Sequence, residues 1–95
     1  MDKVGQFLAV TDELSQLYAA KNKAYGNSFG KTYEKLGLIS AVTRISDKFN
    51  RLCNLAVHPD INNLGESIYD TLQDLACYSI MTLMELNPDN KNTKE

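Results

Sequence analysis

The chain has no tryptophan, one histidine, two cysteines and two prolines among its 95 residues, and aromatic side chains make up only 8% of it. Each scarcity removes a class of function. Cys53 and Cys77 lie on apolar stretches, with neither the C-x-x-C spacing nor the Cys/His pairing of a zinc site. They are expected to be reduced, buried thiols of a cytosolic protein. His58 stands alone before Pro59, so no Ser-His-Asp or Cys-His arrangement can be assembled around it, and it reads as a residue that ends a helix. The glycines form neither a Walker loop nor a dinucleotide fingerprint. No apolar run is long enough to span a bilayer, and Met1-Asp2-Lys3 is not followed by the apolar region of a secretory signal. No membrane partner is expected, and the expected location is the cytoplasm.

What is present is helical periodicity. Val4, Phe7, Leu8, Leu14, Leu17 and Tyr18 keep a helical period from about residue 3 to 22. The segment Asn22 to Gly30 is rich in turn formers and reads as a loop. One short helical turn at 31–36 then stops at Gly37. A long helix is expected from Leu38 to Val57, with Leu38, Val42, Ile45, Phe49, Leu52 and Ala56 as its apolar stripe, and His58-Pro59 ends it. After a loop at 60–65, a last helix from Glu66 to Leu86 is apolar around much of its circumference, as suits a central or interfacial helix. Neither alternation of strand type nor an internal repeat is visible. The expected fold is an all-α, small antiparallel bundle of three long helices and one short one, forming a single domain over residues 1–87 with a solvated tail at 88–95. A helical domain this small has little core of its own, so a homo-oligomer is expected.

Charge is segregated along the chain. Residues 21–51 carry seven Lys/Arg against two Asp/Glu, while residues 52–95 carry two against seven. Arg44, Asp47, Lys48 and Arg51 share one helix face, a stripe suited to phosphate through the planar fork of Arg and the point charge of Lys. Glu66, Asp70 and Asp74, at successive i, i+4 steps, form an acidic stripe with two readings. It could hold Mg²⁺ through carboxylate oxygens, or Asp70 and Asp74 could pair with Arg44, Lys48 or Arg51 across a helical hairpin. Lys21, Asn22, Lys23, Tyr25, Asn27 and Ser28 supply ammonium groups, amides, a ring and a hydroxyl, while Gly26 leaves backbone N–H groups open to an anion. Tyr25 or Phe29 could stack on a base. The neighbouring acids make extended nucleic acid a poor partner.

Three ordered blocks carry a family resemblance. They are Lys21-Asn22-x-x-Tyr25-Gly26-Asn27-Ser28-Phe29, Arg44-Ile45-Ser46-Asp47-Lys48-x-Asn50-Arg51-Leu52, and Glu66-Ser67-Ile68-x-Asp70-Thr71-Leu72-x-Asp74-Leu75-Ala76-x-Tyr78. The chain resembles the nucleotide modification associated domain family, which is common in bacteriophages and similar to the MazG-like all-α nucleoside triphosphate pyrophosphohydrolases. The resemblance implies a helical nucleotide pocket lined by these blocks. In the MazG-like enzymes two acidic pairs hold Mg²⁺ and orient a water for attack between phosphates. Glu66 and Asp70 resemble the second pair, at i, i+4 rather than i, i+3. For the first pair the chain offers only the adjacent Asp12 and Glu13, and Ala24 precedes Tyr25 where the family often has an acid.

Missing carboxylates weaken metal-dependent hydrolysis more than binding. The expectation is therefore a phage-encoded protein, in the host cytoplasm, that binds a linear or cyclic nucleotide and sequesters a host signalling nucleotide. Lys21, Asn22, Lys23, Tyr25, Asn27, Ser28, Arg44, Lys48 and Arg51 would contact the ligand, with Mg²⁺ at Glu66, Asp70 and Asp74. A Mg²⁺-dependent pyrophosphohydrolase is the enzyme alternative, and a ligand-free structural helper is the third.

Overall fold

A computed structural model of the chain describes residues 2–58 and 67–87. The fold is all-α, and the described residues form four helices: α1 Lys3–Tyr25, α2 Ser28–Leu36, α3 Leu38–Val57 and α4 Ile68–Leu86. The expected nine-residue loop is far shorter than its composition suggests. Helix α1 continues to Tyr25, and α2 begins at Ser28 rather than at residue 31. Gly26 ends α1 with φ 67°, donating its N–H to the Asn22 carbonyl at 2.7 Å, and the Asn27 side chain caps α2 by accepting the Gly30 N–H at 3.2 Å. The turn-forming residues thus serve as two back-to-back caps.

Gly37 works the same way between α2 and α3. At φ 76° it donates to the Tyr33 carbonyl at 2.7 Å, while its own carbonyl accepts the Ser40 hydroxyl at 2.7 Å. His58 closes α3 through its backbone N–H on the Asn54 carbonyl at 3.0 Å. Helix α4 starts at Ile68 rather than Glu66, because Ser67 and Asp70 form a capping box that satisfies backbone donors at both residues. Glu66, the expected loop at 60–65 and the expected tail at 88–95 lie outside the described residues.

Helices α3 and α4 make the most extensive contact in the molecule. The packed line of α3 is Ala41, Ile45, Lys48, Leu52 and Leu55, with Ala41 wholly buried and Leu55 nearly so. This differs from the expected stripe, of which Leu38, Val42 and Phe49 remain exposed. Ile45 and Leu52 of the expected stripe belong to the packed line, which is completed by the small Ala41, by Leu55 and by the stem of Lys48, a residue that a periodicity count reads as polar. On α4 the buried residues are Thr71 and Thr82, whose hydroxyls donate to the carbonyls four residues back at 2.8 and 2.6 Å.

Helix α1 lies against α4 through a thinner contact. Leu14 is buried there, and polar ties reinforce it. The Tyr69 hydroxyl donates to the Glu13 carboxylate at 2.9 Å and Gln73 donates to the same group at 3.3 Å. Hydrogen bonding to Glu13 is the first cause that pushes the Tyr69 phenol above its ordinary pKa, with desolvation and the charges of Glu13 and Asp70 adding to it.

Candidate functional site

One cavity of about 480 Å³ opens where α1, the α1–α2 turn, α3 and α4 meet. Each helix contributes one face. From α1 come Tyr18, Lys21, Asn22 and Tyr25, at i, i+3, i+4 and i+7, and from α4 come Asp74, Cys77, Tyr78 and Met81 at the same spacing. Arg44 enters from α3, and Gly26, Asn27, Ser28 and Phe29 close one end. The volume falls in the range typical of small-molecule sites.

The electrostatics centre on Asp74. Its carboxylate accepts Lys21 at 3.2 Å on one oxygen and Lys48 at 3.0 Å on the other. The Asp74 side chain is 17% exposed and that of Lys48 23%, so the pair sits largely out of water. Lys21, Arg44 and Lys48 set three positive charges against this carboxylate, an excess that favours an anion in the cavity. The N-terminal turn of α2, capped by Asn27, adds its partial positive charge at the same end.

The apolar part of the wall is aromatic. Phe29 and Tyr78 stack with ring centroids 6.0 Å apart and planes 26° from parallel. Tyr18 and Tyr25 line the cavity from α1, and Met81 lies one turn from Tyr78 on α4. A ring of flat side chains next to a cationic floor matches the two halves of a nucleotide, a base and a phosphate. Cys77 also lines the cavity. Burial pushes its thiol above the ordinary value, the Asp74 charge pushes the same way, and Lys21 opposes both.

Of the residues singled out in the sequence, the cavity gathers Lys21, Asn22, Tyr25, Asn27, Ser28 and Arg44. Lys48 reaches it indirectly, through Asp74. Lys23, in the last turn of α1, and Arg51, one turn beyond Lys48, are not among its lining residues. Tyr18, Cys77, Tyr78 and Met81 were not identified as site residues. Their signal was available in register: each shares a helix face with Lys21 or Asp74.

The acidic stripe divides. Asp70 turns back to its own helix start, accepting from the Ser67 hydroxyl at 3.0 Å and the Ser67 N–H at 3.3 Å. Asp74 fills the ion-pair alternative, gaining Lys21 as well as Lys48. Among the described residues no three His, Cys, Asp or Glu side chains come together as a metal-holding group. A carboxylate clasped by two ammonium groups is a poor ligand for a divalent cation, since the cation would have to displace or repel both lysines. Asp70 and Asp74 are thus engaged by Ser67 and by lysine, and Glu66, the third expected ligand of Mg²⁺, lies outside the described residues.

Among the described residues no helix is long and apolar enough to cross a membrane. Residues 21–86 match the family described as Nucleotide modification associated domain 1, a span that contains every lining residue of the cavity except Tyr18. No protein of curated function and no solved structure matches the chain.

Proposed function

The chain belongs to the Nucleotide modification associated domain 1 family, and on that premise we propose that its cavity binds a nucleotide without hydrolysing it. The observation that carries the proposal is the cavity lining, where Lys21 and Arg44 stand and where, among the described residues, the one carboxylate, Asp74, is paired with Lys21 and Lys48. Phosphate would sit over Lys21, Arg44 and the α2 N-terminus, and the base would lie along Phe29, Tyr78 and the α1 tyrosines. Asn22, Asn27 and Ser28 offer amide and hydroxyl groups to sugar or base edges. Hydrolysis needs an activated water, and among the described residues the cavity lining includes no imidazole and no carboxylate other than the lysine-paired Asp74. Retention without turnover would make the protein a sponge for a signalling nucleotide, the role expected of a phage-encoded binder inside its host.

The test is a thermal-shift panel of linear, cyclic and modified nucleotides, each with Mg²⁺ and with EDTA, followed by chromatography of the recovered ligand. A ligand at a hundredfold over its Kd should raise the melting temperature by about 10 °C or more, in EDTA as well as in Mg²⁺, and come back intact. Arg44→Ala and Lys21→Ala should each weaken binding by roughly tenfold, the order of one lost charged hydrogen bond. Pyrophosphate among the products would establish the pyrophosphohydrolase instead. An unshifted melt across the whole panel would leave the charged stripes as architecture.

A further inference from the structure

The face of α3 turned away from the cavity carries a second pattern. Ile39, Val42, Ser46, Phe49, Cys53 and Ala56 follow one another at alternating steps of three and four residues, and all six are exposed. Ile39 is 66% exposed, Val42 46% and Phe49 54%, high values for large apolar side chains. The charged residues of α3, Arg44, Asp47, Lys48 and Arg51, all fall on the other half of the helix, so this seam is neutral from end to end. Helix α4 widens it. Leu72, Leu83 and Leu86 are also exposed, about half a turn away from the Asp74, Cys77 and Met81 face that lines the cavity.

The order of sizes along the seam identifies what covers it. In order, Ile39, Val42, Ser46, Phe49, Cys53 and Ala56 run large, large, small, large, small, small, a sequence that is its own complement when reversed. Laying a second α3 antiparallel about a two-fold axis midway between Ser46 and Phe49 sets Ile39 against Ala56, Val42 against Cys53 and Ser46 against Phe49. Every contact then joins a knob to a hole, and symmetry makes each of them twice. A partner of another sequence would place no such self-reciprocal demand on this face. The α3–α4 face is about 30 Å long and about 20 Å wide, an outline of roughly 600 Å², comparable to the ~800 Å² each partner gives to a standard interface.

We propose that two copies of this chain pair through α3, antiparallel and in this register, with both cavities facing outward. The pairing does not depend on what the cavities bind. It also supplies the burial that the monomer lacks, since Leu14, Ala41 and Leu55 are the apolar residues buried among those described.

Sedimentation of the purified chain should give twice its 10.6 kDa mass, and Val42→Glu should give a monomer with unchanged helical circular dichroism. For the register, Val42→Cys places a thiol opposite the native Cys53 of the second copy. Within one chain the two thiols lie about 16 Å apart along the helix, too far to join. Oxidation by copper–phenanthroline should therefore yield a linked dimer on a non-reducing gel, at least tenfold faster than with Thr43→Cys, which lies off the seam. A monomeric wild-type chain at tens of micromolar would overturn the proposal, as would a dimer untouched by Val42→Glu. Equal cross-linking of the two cysteine variants would overturn the register.

Discussion

Replacing Asp74 by Asn removes one charge from the cavity floor while keeping the side chain's shape, and its effects on stability and on ligand should have opposite signs. At about 3 Å, each of the two bridges has a gross attraction of roughly 5 kcal/mol at an effective dielectric of 20. Much of this is offset by the cost of desolvating the ions. Lys21 is half exposed and recovers water when released, so its bridge contributes little. The Lys48 side chain is only 23% exposed and held in the α3–α4 contact, so the loss of its bridge accounts for most of the effect. The expected destabilisation is about 1–3 kcal/mol, or roughly 5–15 °C in a domain of this size. The cavity meanwhile gains a net positive charge, and affinity for a nucleotide in low salt should rise several-fold, with the gain fading as salt approaches 0.5 M. Thermal melts followed by circular dichroism and calorimetric titrations at two salt concentrations read both effects. An unchanged melting temperature would refute the structural role of the carboxylate. Loss of a Mg²⁺-dependent component of binding would instead make Asp74 a metal ligand.

Three further outcomes follow from the contacts. The neutral Tyr69 phenol donates to Glu13 and its pKa is raised, so this tie is fully present below pH 10 and lost as pH climbs through the folded value. Melts of wild type and Tyr69→Phe should differ most at neutral pH and converge in alkali, and a gap independent of pH would contradict the assignment. Gly26 and Gly37 both adopt a positive φ with ψ near 180°, a conformation nearly restricted to glycine, and no atom lies within 4 Å of where a Cβ would stand. Gly26→Ala and Gly37→Ala should each cost about 1–3 kcal/mol from backbone strain alone, yet only Gly26→Ala, at the cavity wall, should also weaken nucleotide binding. Cys77 should alkylate slowly near pH 8 because its thiol stays protonated, and bound nucleotide should slow it further, as measured in a Cys53→Ser background.

The helices and their ends were legible wherever a single residue dominates the local physics, as at Gly37 and at His58 before Pro59. The Tyr25 to Ser28 segment misled because glycine, asparagine and serine favour both loops and caps, and only the helix on each side decides between them. Ser67-x-x-Asp70 is a capping-box spacing that could have been read directly, but the acidic period running through Asp70 and Asp74 drew it toward a metal instead. The cavity was visible through its cations and amides. Tyr78 entered only through its family block, and Cys77 and Met81 not at all, because an apolar residue on an apolar helix looks like core until the neighbouring helix is placed. The packed line of α3 was displaced for a related reason: Ala41 and Lys48 join Ile45 and Leu52 in it, while Leu38, Val42 and Phe49 of the expected stripe are exposed.

Whether the cavity is a nucleotide site is tested most directly by mapping backbone amide shifts of the ¹⁵N-labelled protein during titration with a nucleotide, in EDTA. The largest changes are expected at Gly26 to Phe29 and at Asp74 to Tyr78, with the nucleotide unaltered when recovered. Changes centred on Phe49 and Leu83, or none at saturating nucleotide, would contradict it.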